Sequence, residues 1–372
     1  MTALTLQIEN FLKTRRCALP DIGLLQPADP ILNAAGEDIR RRIFMTADQH
    51  GKDMCLRPEF TIPVCLQHIA MGKQRKRYGY VGKVFRQRAD EPAEFVQAGI
   101  EDIGAKNTVL ADANALKDAA EMLQSLGKGR LSVVVGDQAI FGEVLKSLGL
   151  PKAWRERLGR AFGDKDRLRA DLDRLEGKTV EPFADMDSAL VQALREKDRL
   201  TIHTHVSNEL ERAGIATSGG RTSEEITARL MEKAELASTQ LSPMKREILE
   251  SFLSLDIPAA NANSRLWSFS RKANIPLGPS LENFHKRIAA IEKLQLENVS
   301  IRYQSAFGRQ LDYYTGFVFE IRGAGRSKGK PLAGGGRYDR LMTVLGAKEK
   351  APAIGFAVYV DRVVPAKSRG AQ

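Results

Sequence analysis

The stretch YGYVGKVFRQRADEPAEFVQAGIEDIG, residues 78–104, decides the class of fold. Two runs of strand length flank the polar loop RADEP, a pattern that predicts an antiparallel hairpin. Residues two apart point to the same side of a strand, so the second run places Gln97, Gly99 and Glu101 on one face. Arg86 lies on the first strand. Such a face either meets solvent or lines a pocket.

The rest of the chain predicts further hairpins, interrupted by a helical stretch. Residues 34–70 predict a hairpin and a helix, and strands return at SIRYQSAF, LDYYTGFVFEIRG and PAIGFAVYVDRVV. KPLAGGGRYDRLMTVLG predicts a glycine-rich turn before a helix. We therefore predict an α+β fold, an antiparallel sheet flanked by helices. Residues 1–150 and 265–372 would form its core, and 151–264 a mainly helical insertion with a joint at TSGGRTSEE, 217–225.

Composition narrows the class of protein. The 372 residues are 43% hydrophobic and 28% charged, as in soluble globular proteins. An apolar run long enough to span a membrane is missing, and the start of the chain predicts an amphipathic helix rather than a signal peptide. We expect a cytoplasmic protein without a membrane partner. Lys and Arg exceed Asp and Glu by 57 − 46 = 11, which favours anionic partners.

The cysteines and histidines give little sign of a metal site. Cys17, Cys55 and Cys65 form no CxxC pair, so we expect neither a zinc site nor a disulfide framework. Cys55 and Cys65 have apolar neighbours and fit small core residues. The HTH run at 203–205 lacks a nearby cysteine or acid cluster, and we expect no metal there.

Two other polar segments belong with the hairpin. FGRQLDYYTGFVFEIRG, 307–323, crowds an arginine, an acid and two tyrosines before an apolar run, and LRPEFT, 56–61, carries Arg57, Glu59 and Thr61. Each could be a solvated strand edge. Carboxylates that face a guanidinium are also what an amino acid requires, because acids bind its ammonium and arginine its carboxylate.

Five segments in order resemble one family. LRPEFT, FRQR followed by EFVQAGIE, RQLDYYTGFVFE, AGGGRYDRL and IGFAVYVDR resemble the catalytic core of histidyl-tRNA synthetase, a class II synthetase. The resemblance covers most of residues 1–130 and 300–365. It implies a six- or seven-stranded antiparallel sheet that dimerises.

The resemblance also implies a pocket for free histidine. An acid and a phenol can satisfy the donor and acceptor nitrogens of a neutral imidazole. Arg86 and Arg362 correspond to arginines that serve ATP in a synthetase, and they are candidate anion-binding residues here. The implied histidine-binding residues are Glu59, Thr61, Gln97, Glu101, Arg309, Tyr313, Tyr314 and Tyr338.

Three departures from the synthetase pattern argue against aminoacylation. The chain stops soon after Arg362, so we expect no anticodon-binding domain. The loop after Arg86 is short, with Arg88 where the synthetases carry an acid. Tyr359 stands where the synthetase motif has a glycine that lets the nucleotide base approach the backbone. In this combination the chain resembles the regulatory subunit family of ATP phosphoribosyltransferase.

That second resemblance implies a function without catalytic residues, metal or cofactor. A regulatory subunit of this glycosyltransferase complex is required for the first step of histidine biosynthesis and mediates feedback inhibition by histidine. The implied partners are a short-form catalytic subunit, free histidine and a second copy within a hetero-oligomer, rather than tRNA. A divergent histidyl-tRNA synthetase and a stand-alone histidine-adenylating ligase remain alternatives, because Arg86, Arg309 and Arg362 are present.

Overall fold

The computed structural model describes residues 3–72, 75–176, 183, 186–213, 222–309, 313–323 and 329–364. The described residues form two compact units. We call one the sheet unit (within Met1–Val144, Phe162–Asp164 and Ser251–Gln372) and the other the helical unit (within Leu145–Ala161 and Lys165–Glu250). The domain boundaries predicted above, with an insertion at 151–264, stay a prediction.

The strands of the sheet unit form two sheets. The smaller sheet has the order β1-β3-β2, from β1 (Leu25–Pro27), β2 (Met45–Ala47) and β3 (Asp53–Leu56). The larger sheet has the order β4-β5-β11-β10-β9-β6-β8-β7. Its strands are β4 (Lys76–Phe85), β5 (Glu94–Ile103), β6 (Leu131–Asp137), β7 (Asp256–Pro258), β8 (Val299–Gln304), β9 (Phe317–Gly323), β10 (Ala333–Arg337) and β11 (Ala353–Tyr359).

Helices flank the sheets. In the helical unit, the described secondary-structure elements are all helices. In chain order they are α1 (Ala3–Thr14), α2 (Ala28–Ala34), α3 (Glu37–Arg40), α4 (Thr61–Ala70), α5 (Thr108–Ser125), α6 (Gln138–Ser147), α7 (Lys152–Ala161), α8 (Lys165–Arg174), α9 (Ser188–Glu196), α10 (Arg199–Arg212), α11 (Ser223–Ser238), α12 (Pro243–Leu253), α13 (Ala259–Lys272), α14 (Gly278–Lys293), α15 (Leu341–Val344) and α16 (Val360–Val363). Among the described residues, no helix combines the length and apolar character needed to cross a membrane.

The predicted fold class is confirmed. β4 and β5 pair antiparallel from Lys76–Ile103 to Phe85–Glu94, as the hairpin pattern predicted. Within the described residues the larger sheet has eight strands, however, rather than the six or seven that the resemblance implied. One pair, β6 with β8, is parallel. A parallel neighbour requires a long connection, which the helices between these two strands provide.

The glycine triplet at 334–336 is a strand, not the predicted turn. These glycines form β10 between β9 and β11. A Cβ on Gly336 would lie 2.8 Å from the carbonyl oxygen of Phe317, and one on Gly335 would meet the Gly355 carbonyl oxygen. Close approach of neighbouring strands therefore requires glycine here, without any change of chain direction.

The strand predicted at LDYYTGFVFEIRG is also shorter in the structure. β9 begins at Phe317, so both tyrosines of LDYYTGFVFEIRG precede it. Residues 310–312 lie outside the described residues, as do 217–221 of the predicted glycine joint. The N–H of Thr315 donates to the Arg337 carbonyl oxygen at 2.8 Å, which fixes this segment beside the end of β10.

The cysteines have no disulfide partner. Cys17, Cys55 and Cys65 are free thiols. Cys55 and Cys65 are fully buried, as expected of small core residues.

A network of buried charges holds the helices on the back of the sheet. Arg287 on α14 donates from Nε to Asp112 on α5 and from Nη1 to Asp137 at the end of β6, both at 2.6 Å. Arg337 at the end of β10 also donates to Asp112. The Asp112 side chain is fully buried and those of both arginines nearly so. One carboxylate thus neutralises two guanidinium groups.

We predict that Asp112→Ala lowers the free energy of unfolding by about 3–5 kcal/mol, because it leaves two buried guanidinium groups without their shared partner. Urea denaturation of the full chain measures the change. Asp256→Ala is the control, since Asp256 pairs with Arg302 at an exposed site, where an ion pair contributes about 0–1 kcal/mol. Equal losses in the two variants would contradict a special role for the buried network.

Candidate functional site

The central strands of the larger sheet expose a floor of small residues on one face. The register sets Gly355 opposite Glu101, Ala357 opposite Gly99 and Tyr359 opposite Gln97. On the other side of β11, Gly336 and Gly334 of β10 lie opposite Gly355 and Ala357. Because partners in a ladder point to the same side, this face is hollow at its centre and polar around it. The floor residues are Gly99, Gly334, Gly336, Gly355 and Ala357.

The hollow forms a small cavity lined by polar and aromatic side chains. The structure brings seven of the eight predicted histidine-binding residues to its wall. The eighth, Glu101, is almost fully buried; its carboxyl group lies over Gly355 of the floor and contacts Thr61 and Tyr338 of the wall. The seven are Glu59, Thr61, Gln97, Arg309, Tyr313, Tyr314 and Tyr338.

Glu101 is the most buried acid of the site, with 1% of its surface exposed. Its carboxyl group receives hydrogen bonds from the hydroxyls of Thr61, at 2.8 Å, and Tyr338. The Tyr80 hydroxyl lies 3.3 Å away and also donates to the Phe356 carbonyl oxygen at 3.1 Å. A protonated Glu101 can therefore donate to the Tyr80 oxygen. Burial raises the pKa of Glu101 to about 8, since the hydrogen bonds offset only part of the lost hydration.

Glu59 binds the start of α4. Its two carboxylate oxygens accept the backbone N–H groups of Thr61, at 2.6 Å, and Ile62, at 2.8 Å. Burial raises the pKa of Glu59, and these helix N–H bonds work against that rise. The start of α4 thus holds Glu59 at the cavity wall and places the Thr61 hydroxyl within hydrogen-bonding distance of Glu101.

An aromatic group forms another wall. The rings of Tyr313 and Tyr314 have centroids 5.1 Å apart, and Tyr313 meets Tyr338 edge-on at 5.8 Å. Phe60 stacks on Tyr80 at 4.3 Å. Burial raises the pKa of the Tyr338 hydroxyl well above its usual value, and the Glu101 charge adds to the rise. These phenols stay protonated and can donate hydrogen bonds.

The opposite end of the cavity is cationic. Arg86 and Arg309 line it, and the Arg309 guanidinium occupies the space that a Cβ on Gly334 would take. Two buried atoms of residues in the cavity wall, Nε of Arg309 and Oε1 of Gln97, have no hydrogen-bond partner among the described residues. Buried polar atoms are normally paired, so the cavity is suited to a polar ligand.

Tyr359 lies among arginines at this end. Burial by itself would raise the pKa of its hydroxyl, but the positive charges of Arg86, Arg309 and Arg362 lower it below the usual value. The Arg362 guanidinium stacks over the Tyr359 ring at 4.1 Å. The phenol therefore occupies a place where an anionic group of a ligand would meet the same cations.

The two candidate anion-binding residues differ in their surroundings. Arg86 lines the cavity and stacks over Phe95 at 5.0 Å. Arg362 does not line it. Its guanidinium donates to both carboxylate oxygens of Glu91, at 2.9 and 2.7 Å, and to the Pro331 carbonyl oxygen at 2.7 Å. In this arrangement Arg362 ties the β4–β5 loop to the end of β11.

Sequence reasoning missed several wall residues. Phe60, Tyr80 and Phe356 line the cavity but belong to apolar runs that resemble ordinary core. For Tyr80 a signal existed: it lies opposite Gly99 in the β4–β5 hairpin, so it shares the face of Gln97 and Glu101. Arg57, beside Glu59 in the sequence, donates instead to the Lys83 and Ile22 carbonyl oxygens.

The described part of the chain contains no group of three or more His, Cys, Asp or Glu side chains arranged to hold a metal ion. The acids of the cavity bond to hydroxyls and backbone N–H groups instead.

Known proteins resemble this chain in sequence and in fold. A family profile described as "Histidyl-tRNA synthetase" matches residues 21–217 and 210–363. A Mesorhizobium japonicum protein named "ATP phosphoribosyltransferase regulatory subunit" is 47% identical over 364 residues, 97% of this chain and 96% of the relative. A protein of the same name from Rhizobium rhizogenes is 45% identical over 357 residues, 95% of each chain. The chain belongs to the ATP phosphoribosyltransferase regulatory subunit family.

Two solved structures have a fold similar to that of this chain. One, described as an "ATP phosphoribosyltransferase regulatory subunit/histidyl-tRNA synthetase" from Bacillus halodurans, has a TM-score of 0.64 at 21% identity, covering 98% of this chain and 78% of its own. A histidine–tRNA ligase subunit from Alicyclobacillus acidocaldarius has a TM-score of 0.57 at 23% identity, covering 99% and 92%. These likenesses establish a class II synthetase-like fold.

The buried acid makes stability depend on pH. Between its ordinary pKa of 4.5 and about 8, folded Glu101 keeps a proton that the unfolded chain has released. Stability therefore falls as pH rises through this window, by at most about 1.4 kcal/mol per pH unit from this group. We predict that Glu101→Gln flattens the fall. Urea denaturation at several pH values tests this, and parallel curves for the two proteins would contradict the raised pKa.

Proposed function

We propose that this chain is a non-catalytic regulatory subunit that binds free histidine in the cavity and conveys feedback inhibition to an ATP phosphoribosyltransferase. Its partner is a short-form catalytic subunit, which requires it for the first step of histidine biosynthesis. Family membership supports the regulatory role. One observation carries the choice of ligand: two buried acids and a guanidinium surround a single cavity.

Each part of a histidine molecule has a counterpart in the cavity. Its ammonium group meets Glu59, with Thr61 and Gln97 beside it. Its carboxylate meets Arg309, which can bind both oxygens. The imidazole requires one donor and one acceptor partner, and these come from Glu101 with Tyr314 and Tyr338. Tyr313 packs against both phenols.

The protonation of Glu101 adds selectivity for an imidazole. A carboxyl group with a pKa near 8 is mostly protonated at neutral pH and can donate to a ring nitrogen. It can also lose that proton to the ring, which then becomes a cation beside a buried carboxylate. An aliphatic side chain could exchange neither a proton nor a hydrogen bond with Glu101 and the phenols.

The regulatory signal requires two states of a complex. We propose a cytoplasmic hetero-oligomer in which this chain pairs with a second copy and with the catalytic subunit, around a synthetase-like core at 1–150 and 265–372. Histidine would favour the inhibited state. Thermodynamic linkage then requires that, if histidine weakens substrate binding at the partner, substrate weakens histidine binding here by the same factor.

Phosphoribosyl-ATP formation tests this proposal directly. The short-form catalytic subunit of the same organism is assayed with and without this chain, and with added histidine. We expect activity that requires the chain and falls as histidine is added. An unchanged rate on adding the chain would overturn the regulatory role. Histidine-dependent exchange of pyrophosphate into ATP by the chain alone would instead establish a histidine-adenylating enzyme, a synthetase or a ligase.

We predict that Glu101→Gln raises the histidine concentration for half-maximal inhibition by about 10–100-fold, because a hydrogen bond involving a charged group contributes about 1.5–3 kcal/mol. Glu94→Gln is the matched control. Glu94 lies on the same strand, exposed and paired with Lys83, and its replacement should leave inhibition unchanged. The same shift in both variants would argue against a role of Glu101 in the ligand site.

A further inference from the structure

The Glu320 carboxylate lies behind Arg309, on the floor side of the cavity. Glu320 is on β9, opposite Gly334 of β10, so it faces the same side of the sheet as the cavity floor. One of its oxygens, Oε1, accepts two hydrogen bonds from Arg322, at 2.9 and 2.6 Å. The other, Oε2, lies 3.5 Å from Nη1 of Arg309. The carboxylate therefore bridges two guanidinium groups and leaves one oxygen to each.

Steric room and burial reinforce this arrangement. A Cβ at Gly334 would overlap the Arg309 guanidinium, so the arginine can lie flat on the floor only because that residue is glycine. The side chains of Arg309 and Glu320 are both nearly buried, with 14% and 13% of their surface exposed. In such surroundings an ion pair is screened less than on the surface. Glu320 thus fixes where the positive charge of Arg309 can be.

The other hydrogen bonds that Arg309 donates go to two phenols. Its guanidinium bonds the hydroxyls of Tyr314 and Tyr359, while its Nε has no partner among the described residues. Without Glu320, Arg309 would keep only these contacts and could turn away from the cavity. Held in place, it presents a fixed cation at the end of the cavity away from the protonated acid.

We propose that Glu320 positions Arg309 and thereby makes the carboxylate of the ligand a requirement for binding. This inference rests on the proposed histidine site and names what selects an amino acid over the corresponding amine. Glu320 does not touch the ligand. It acts through Arg309, and Gly334 provides the space in which it acts.

Calorimetric titration of the full chain with two ligands tests this. Histamine keeps the imidazole and ammonium of histidine but lacks the carboxylate. We expect the wild type to prefer histidine by at least about tenfold. Glu320→Gln, which keeps the shape but removes the charge, should weaken histidine by about tenfold and change histamine by less than about twofold. Histamine binding also shows that the variant is folded.

Arg322→Gln is the matched control, because it removes the other guanidinium and leaves Glu320 to pair with Arg309. It should change histidine affinity by less than about threefold. Equal losses of histidine and histamine in Glu320→Gln, or no loss of histidine, would overturn the positioning role while leaving the histidine site intact. A wild-type chain that binds neither ligand would overturn the site itself and this inference with it.

Discussion

The close approach of Glu101 to Gly355 is the constraint on which the site depends. The carboxyl group lies where a Cβ on Gly355 would be, so any side chain there would expel it. The same rule applies along the floor, at Gly99 and Gly334. Glu101 is stable in this position because hydroxyls from three elements surround it and because it can hold a proton. The cavity thus exists because the central strands carry glycine or alanine where larger residues would place side chains.

The larger sheet has two faces with different chemistry. On the cavity face, Glu59 and Glu101 accept hydrogen bonds from neutral donors. On the other face, Asp112 and Asp137 are compensated by full positive charges from Arg287 and Arg337. Paired charges anchor helices, whereas an acid without an opposite charge retains the capacity to bind or to change its protonation. The contrast makes Glu59 and Glu101 the better candidates for a functional role.

Alternation within one hairpin was enough to place Gln97 and Glu101 on one face. The glycine triplet of β10 could not be assigned this way, because glycine marks both turns and close approach of strands. Arg362 shows a second limit of prediction from sequence. Its partner Glu91 is 271 residues away in sequence, and only the folded sheet brings the loop before β5 next to the end of β11. The aromatic wall was partly missed, since Phe60 and Tyr80 fit a core equally well by sequence.

The shared fold does not decide between a synthetase and a regulator, because one scaffold can carry either function. What differs is local. Tyr359 lies among Arg86, Arg309 and Arg362, and Glu91 pairs with Arg362. Both contacts satisfy cations from within the chain. Arg309 still lines the cavity, whereas Arg362 is engaged by Glu91 and Tyr359, and this difference supports the regulatory role proposed above.

The position of β11 has a consequence for synthesis on the ribosome. This strand comes last among the strands described, yet it lies in the middle of the larger sheet, between β5 and β10. Until it emerges, β5 and β10 each present an unpaired edge, which is prone to pair with other chains. The sheet can therefore close only after β11 has been synthesised, through contacts distant in sequence, and such topologies fold slowly. Chaperones that shield strand edges would matter during this interval.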